Sequence, residues 1–199
     1  MLDLIHNKYS HPIEHLMFEN IEIIEELDDD SLHFRKIGKE DVQFFYESLA
    51  HAQITNYLSL GALRSLEHAR RVIKNYMKSW DNLLQFNYII ELKDSKLKEK
   101  IGAVNLWNIS WLHRRAEIGI WLLPKYWKFG YGKKSVNAVK IIGFNHLQFN
   151  RIEAHVAIKN INSIKMFKSC NFEEEGILKH YLNLNGIFHD TMVLSCMRS

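Results

Sequence analysis

Proline and cysteine are nearly absent from this chain of 199 residues, at two each. Two cysteines make no disulfide framework, and Cys170 and Cys196 fit no metal-ligand spacing, so no metal is expected. Two buried thiols in a reducing compartment are expected instead. Long apolar runs are also missing. Nothing approaches the roughly 20 residues that cross a bilayer, and the first residues lack a basic region followed by an apolar stretch. No membrane partner or signal peptide is expected, and the cytoplasm is the expected location. Charge of one sign is missing too: 26 Lys and Arg stand against 23 Asp and Glu, a formal net charge of +3. The two signs are mixed along the chain, which is not the footprint of a nucleic-acid binder.

Hydrophobic residues at 47% and charged residues at 25% are ordinary for a globular protein, and the length suits one well-filled domain. Residues 21–24 read as a short strand before an acidic run at 25–30, itself read as a solvated turn. Residues 31–36 alternate as a strand does. Val42, Phe45, Tyr46 and Leu49 are spaced as on a helix over 41–50. Ser65 is placed to cap a helix running to about Trp80. From Phe86 the period shortens. Residues 86–92 and 101–109 form a hairpin, and 116–123 a third strand. A long helix over 132–149, a strand over 151–158 and a short helix over 162–170 follow. Residues 176–184 and 187–197 close the chain as a hairpin around Asn185-Gly186. No repeat or linker divides this single α/β domain.

Gly130-Tyr-Gly132 stands between the strand 116–123 and the long helix, with Lys128, Lys133 and Lys134 around it. Free N–H groups and the positive end of a helix dipole suit such a turn to a phosphate, although Gly-x-Gly also makes ordinary turns. A Walker A loop needs an upstream glycine and a hydroxyl that Gly132-Lys133-Lys134 lacks. A dinucleotide fingerprint needs a third glycine where Ser135 stands.

The order of these elements resembles the GCN5-related N-acetyltransferases. Trp127-Lys-Phe-Gly130-Tyr-Gly132 is similar to their acetyl-CoA signature, Gln/Arg-x-x-Gly-x-Gly/Ala. Trp127 in the first place and Ala116-Glu-Ile-Gly-Ile-Trp121 resemble the RimJ/RimL-type branch, which acetylates ribosomal protein N-termini. So do Asn160-Ile-Asn-Ser163, Cys170-Asn-Phe172 with Gly176, and Asn185-Gly186 with Asp190. The resemblance implies that residues 31–199 form one acetyltransferase domain, with 1–30 as an extension carrying a short strand. It implies a mixed, mostly antiparallel sheet flanked by helices, with a V-shaped splay between two central strands, the strand 116–123 parting from its neighbour after residue 122.

Acetyl-CoA is then the implied co-substrate. Its pantetheine arm would pair with backbone at Leu122 and Leu123, and Trp127, Lys128, Phe129, Gly130, Tyr131, Gly132, Lys133 and Lys134 would surround its pyrophosphate. Asn160 would hold the arm and Ser163 would protonate the leaving thiolate. Phe167 occupies the place where many relatives carry a tyrosine for that task. Glu117 and His155 are candidate bases, with Glu153 sharing the face of His155 by its i, i+2 spacing. Each has a structural alternative: Glu117 as partner of Arg114 or Arg115, His155 as a core histidine, Asn160 or Asn162 as a helix cap. Leu182 stands where some relatives have a carboxylate. Tyr57, Leu58, Trp107, Trp111 and His113 either line the acceptor pocket or belong to the core. The acceptor is expected to be a protein N-terminal α-amine, with a small-molecule amine or a non-catalytic acyl-CoA-binding role as alternatives. Monomer and homodimer are both compatible.

Overall fold

A computed structural model of the protein describes residues 21–93 and 98–199. Strands β1 (Glu26–Asp28) and β2 (Leu32–Lys36) lead through a 3-10 turn at Lys39–Asp41 into helices α1 (Val42–Ser48), α2 (Ala52–Thr55) and α3 (Leu66–Asp81). Strands β3 (Phe86–Leu92), β4 (Lys100–Ser110) and β5 (Arg115–Leu122) precede helix α4 (Tyr131–Ile141). Strand β6 (Arg151–Ala157), helix α5 (Ile161–Lys168) and strands β7 (Glu173–Leu184) and β8 (Ile187–Met197) complete the chain. The eight strands form one sheet in the order β1-β2-β3-β4-β5-β6-β8-β7. Every neighbouring pair is antiparallel except β5 and β6. The α/β domain with a mixed, mostly antiparallel sheet is present as the sequence motifs implied.

Alternation along the strands divides the core. Leu106, Ala116, Ile118, Ile152 and Ala154 pack with Val136 and Val139 of α4 and Ile164 and Phe167 of α5. Ile89 and Ala103 pack on the other face against Phe45 of α1 and Ala69, Val72 and Ile73 of α3. Successive side chains of a strand point to opposite faces, so Glu117, Glu153 and His155 belong to the α1–α3 side. Helix α3 begins as read: the Ser65 hydroxyl accepts the His68 N–H at 3.0 Å. Its last turn places Trp80 edge-on to Phe86 and Tyr88, at 5.0 and 5.1 Å between ring centroids. Asn185 (φ 53°) and Gly186 (φ 84°) turn the last hairpin with two left-handed residues, the geometry that makes Asn-Gly a hairpin signal.

Three expectations are corrected. Residues 21–24 are not a strand. Glu22 N–H bonds the His146 carbonyl at 2.9 Å and the Ile24 carbonyl accepts the Tyr88 hydroxyl at 2.8 Å, so tertiary partners replace strand pairing. The short strand lies instead within the acidic run, as β1, where Glu26 pairs with Arg35 and Asp28 with His33 across the ladder. The opposite charges of Glu26 and Arg35, and the contact of His33 Nδ1 with Asp28 Oδ1 at 2.9 Å, hold that edge together. Residues 1–20 of the expected extension lie outside the described residues. The long helix ends at Ile141 and continues as one π-helical turn, Ile142–His146. The wider turn keeps Ile142 and Phe144 in the core.

One buried ion network ties the α1 end to the sheet. Asp41 is fully buried and accepts from Arg35 Nη2 at 2.7 Å, Lys100 Nζ at 2.6 Å and the Gly38 N–H at 2.8 Å, while Arg35 Nε reaches Glu91 at 2.8 Å. Burial alone would raise the Asp41 pKa. The hydrogen bonds from Arg35 and Lys100 outweigh it, and the carboxyl titrates below its ordinary range. Removing one member of a buried network leaves its partners uncompensated. Asp41→Asn is therefore expected to lower the unfolding free energy by about 3 kcal/mol, measured by urea denaturation. A loss under about 1 kcal/mol would assign the network no structural weight.

Candidate active site

Strands β5 and β6 are paired only at Arg115–Arg151, Ala116–Ile152 and Glu117–Glu153. From Ile118 onward β5 has no strand on that side, so the splay opens five residues earlier than the motif reading placed it. The Leu123 N–H donates to the Ile101 carbonyl at 2.8 Å, toward β4. Backbone polarity alternates along a strand, so the groups of Ile118, Ile120 and Leu122 face the opening. The Leu122 carbonyl already accepts the Trp127 indole N–H at 2.8 Å. Leu123 does not serve as expected: its N–H is held by Ile101 and its carbonyl by Tyr126 N–H at 2.9 Å.

The glycine turn follows β5 directly. Gly130 caps α4 with φ 82°, and the first bond of the helix is Lys134 N–H to the Gly130 carbonyl at 3.1 Å. The N–H groups of Tyr131, Gly132 and Lys133 have no partner within the helix. A Cβ on Gly130 would meet nothing within 4 Å, whereas one on Gly132 would stand 2.7 Å from Met166 Sδ of α5. Gly130 thus lies at an open surface and Gly132 at a helix contact. Lys128 (φ 70°), Phe129 and Lys133 are exposed there. Lys134 turns away, its Nζ 2.7 Å from Ser31 Oγ. Open N–H groups, a helix terminus and two exposed lysines fit the pyrophosphate of a CoA thioester.

Where β5 and β6 part, three of the expected residues meet. His155 Nε2 lies 3.2 Å from Glu153 Oε2, and Nδ1 lies 3.4 Å from Glu117 Oε2. The second contact misses hydrogen-bond geometry, so buried Nδ1 has no hydrogen-bond partner among the described residues. Glu117 is only 3% exposed. It accepts from Asn108 Nδ2 and does not pair with Arg114 or Arg115. A bulge between Trp107 and Ser110, with Asn108 at φ 48°, aims that amide. On the far side, Arg151 Nε donates to Glu153 Oε1 at 2.7 Å and Arg151 Nη1 to Glu175 Oε1 at 2.6 Å. Ser195 Oγ also donates to Glu175. The Tyr181 ring stands edge-on to His155 at 5.3 Å.

Asn160 caps α5, its Oδ1 accepting the Ser163 N–H at 3.3 Å. Phe167 is core, packed on Phe172. Ser163 sits three residues, one helical turn, before Met166, the neighbour of Gly132. Of the aromatic candidates, Trp111 is structural, its indole N–H bonded to the Leu83 carbonyl. Leu58 packs on the α1–α3 cluster, and His113 is exposed in the β4–β5 loop. Trp107 faces Glu117 across the ladder and is exposed, as is Tyr57. Asn108, Arg151, Tyr181 and Glu175 had no local sequence signal, since bulges and cross-strand register bring them in.

The acetyltransferase (GNAT) domain family matches residues 31–173. This chain is a GNAT acetyltransferase. It is similar to the uncharacterized N-acetyltransferase YoaA of Bacillus subtilis, at 30% identity over 86% of this chain and 96% of that protein. In fold, the GNAT domain resembles RimL, the ribosomal L7/L12 alpha-N-protein acetyltransferase solved with CoA. The TM-score is 0.79 at 18% identity, over 87% of this chain and 98% of that one. It also resembles the Vibrio cholerae spermidine N-acetyltransferase solved with CoA and spermine, with TM-score 0.75 at 24% identity over 85% and 97%. Acetyl-CoA is the co-substrate of this acetyltransferase. Among the described residues no helix is long and apolar enough to cross a membrane, and no group of three His, Cys, Asp or Glu side chains is set to hold a metal ion.

The Arg151 guanidinium, then the Ser195 hydroxyl, hold the Glu175 carboxyl down at about 2. A depressed folded-state pKa adds stability that is present above the ordinary value of 4.5 and is lost as pH falls toward 2. Glu175→Gln is expected to flatten the fall of Tm across that window, followed by thermal melts at stepped pH. A parent-like slope would show that Glu175 carries no acid-sensitive stability.

Proposed function

We propose that this acetyltransferase acetylates the α-amine of a peptide or protein N-terminus. The observation that carries the reading is the meeting of Glu117, His155 and Glu153 where the cleft begins. Bound acetyl-CoA supplies an acetyl thioester. A histidine whose Nε2–H donates to Glu153 presents the Nδ1 lone pair beside the Glu117 carboxylate. Two acceptors 3.4 Å apart make a proton site, and we assign it the proton that the attacking amine sheds. Ser163 is assigned as proton donor to the sulfur, because Phe167 has no proton to give. Asn160 and the open backbone of Ile118, Ile120 and Leu122 orient the pantetheine arm, and the α4 turn seats the pyrophosphate. Both cysteines are free and buried, which supports a cytoplasmic setting.

Charge supports this acceptor class. An α-amine has a pKa of about 8, against about 10.4 for a lysine-like amine, so a single base suffices for it. A polycation such as the spermine of the V. cholerae complex calls for carboxylates spread along its length. The cavity of about 790 Å³ beside the closing hairpin is lined by Arg64, Arg71, His68, Asn183 and Asn185 among others, with no Asp or Glu.

Thiol release from acetyl-CoA is expected with neutral peptides bearing a free N-terminus, and not with the same peptides blocked or with spermidine. Turnover on spermidine alone would overturn the peptide reading. In this assay Glu117→Gln should lower kcat by about 100-fold, in the range of a lost general base, with acetyl-CoA affinity kept. Loss of affinity without loss of kcat would remove Glu117 from the chemistry. Gly130→Asp should weaken acetyl-CoA binding by at least about tenfold, equivalent to about 1.4 kcal/mol, read by calorimetry. Unchanged affinity would displace the pyrophosphate from this turn.

A further inference from the structure

The same cavity has a chemistry of its own. It lies between the α2–α3 loop (residues 59–64), the first turns of α3 and the tip of the β7–β8 hairpin. His68 and Arg71, three residues apart, share one face of α3, Arg64 ends the loop before the Ser65 cap, and all three line the cavity. Arg70, one position off that face, is paired with Glu67 at 3.3 Å. Arg64 and Arg71 are exposed and have no ion pair among the described residues.

Ser65, His68 and Asn183 of the lining each have an acceptor atom occupied and a donor left over. Ser65 Oγ accepts the His68 N–H, which leaves its own hydrogen to give. His68 Nδ1 accepts the Arg64 N–H at 3.4 Å, so Nε2 carries the ring proton. Asn183 Oδ1 accepts the Gly186 N–H at 3.0 Å, leaving the Asn183 amide N–H₂ to donate. The α3 dipole adds positive potential at the same end.

Strand β7 runs from His155 to the cavity. Tyr181 of β7 touches His155, and Asn183, two residues further along β7, lines the cavity. At about 3.3 Å per strand residue, Asn183 and the hairpin tip stand roughly 7–13 Å along the strand from Tyr181. An extended peptide whose first amine sits at His155 covers that span with its second to fourth residues.

We propose that this cavity is the acceptor's anion subsite: it binds the side-chain carboxylates of acidic residues at positions two to four of the N-terminal peptide being acetylated. The inference rests on the reading of the cleft as a peptide α-amine site. Bidentate guanidinium–carboxylate pairs at Arg64 and Arg71 would supply register as well as affinity.

The test uses three peptides identical except for Glu-Glu, Gln-Gln or Lys-Lys at positions three and four. The full-length protein should prefer Glu-Glu over Lys-Lys by at least tenfold in kcat/KM. The difference should reside in KM and shrink as salt is raised. The double variant R64E/R71E should reverse the order, R64Q/R71Q should abolish it, and both should keep the parent KM for acetyl-CoA. Equal kcat/KM across the peptides, or a loss in R64E/R71E that is the same for all three, would overturn the subsite. A binding arm separates this from the function itself. The N-acetylated peptides are titrated onto CoA-loaded protein by calorimetry. If no peptide is turned over, the peptide-acetylation reading fails, yet tighter binding of Glu-Glu than Lys-Lys still supports the subsite and equal or absent binding overturns it.

Discussion

The candidate site depends on a short stretch of parallel pairing between β5 and β6 that stops at Glu117–Glu153. Before that point the sheet is continuous and its polar backbone is spent within the ladder. Beyond it β5 has a free edge, and unpaired backbone groups near a protein interior demand a partner. Trp127 supplies one, capping the Leu122 carbonyl, and the remaining groups face the opening. The edge persists because β5 is anchored to β4 along its length while β6 is anchored to β8. The two halves of the sheet are each complete without the missing ladder.

The same break joins the two faces of the domain. Helix α4 and its glycine turn lie on one face, where Val136 and Val139 bury against Ile118 and Ile152. Helices α1 to α3 lie on the other, along with Glu117, Glu153 and His155. In the proposed reading, a CoA thioester seated on α4 would meet an acceptor arriving from the α1–α3 side through the splay. The division follows from the two-residue period of the strands, since a one-residue slip would carry the carboxylates to the apolar face.

Local signals carried much of this. Ser65 before α3, Asn-Gly in the last hairpin and Gly130-Tyr-Gly132 before α4 were legible because caps, turns and left-handed residues are local chemistry. The i, i+2 spacing placed Glu153 and His155 on one face for the same reason. Residues 21–24 and the acidic run were misread because their partners, His146, Tyr88, Arg35 and His33, come from elsewhere in the chain. Asn108, Arg151 and Tyr181 were invisible for the related reason that register shifts at Trp107–Ser110 and at Leu178–Leu182, with the cross-strand register, aim them. Lys134 looked equivalent to Lys128 and Lys133 until the fold brought Ser31 within 2.7 Å of it.

By itself the sequence determined the order of elements, the acetyl-CoA signature and the side chains able to move a proton, because period, capping and residue chemistry are written locally. Tertiary structure alone decided where the splay opens, which carboxylates touch His155, and that Arg64, His68 and Arg71 share a cavity with the tip of the last hairpin. Those depend on strand register and on contacts between distant segments, which no local pattern encodes.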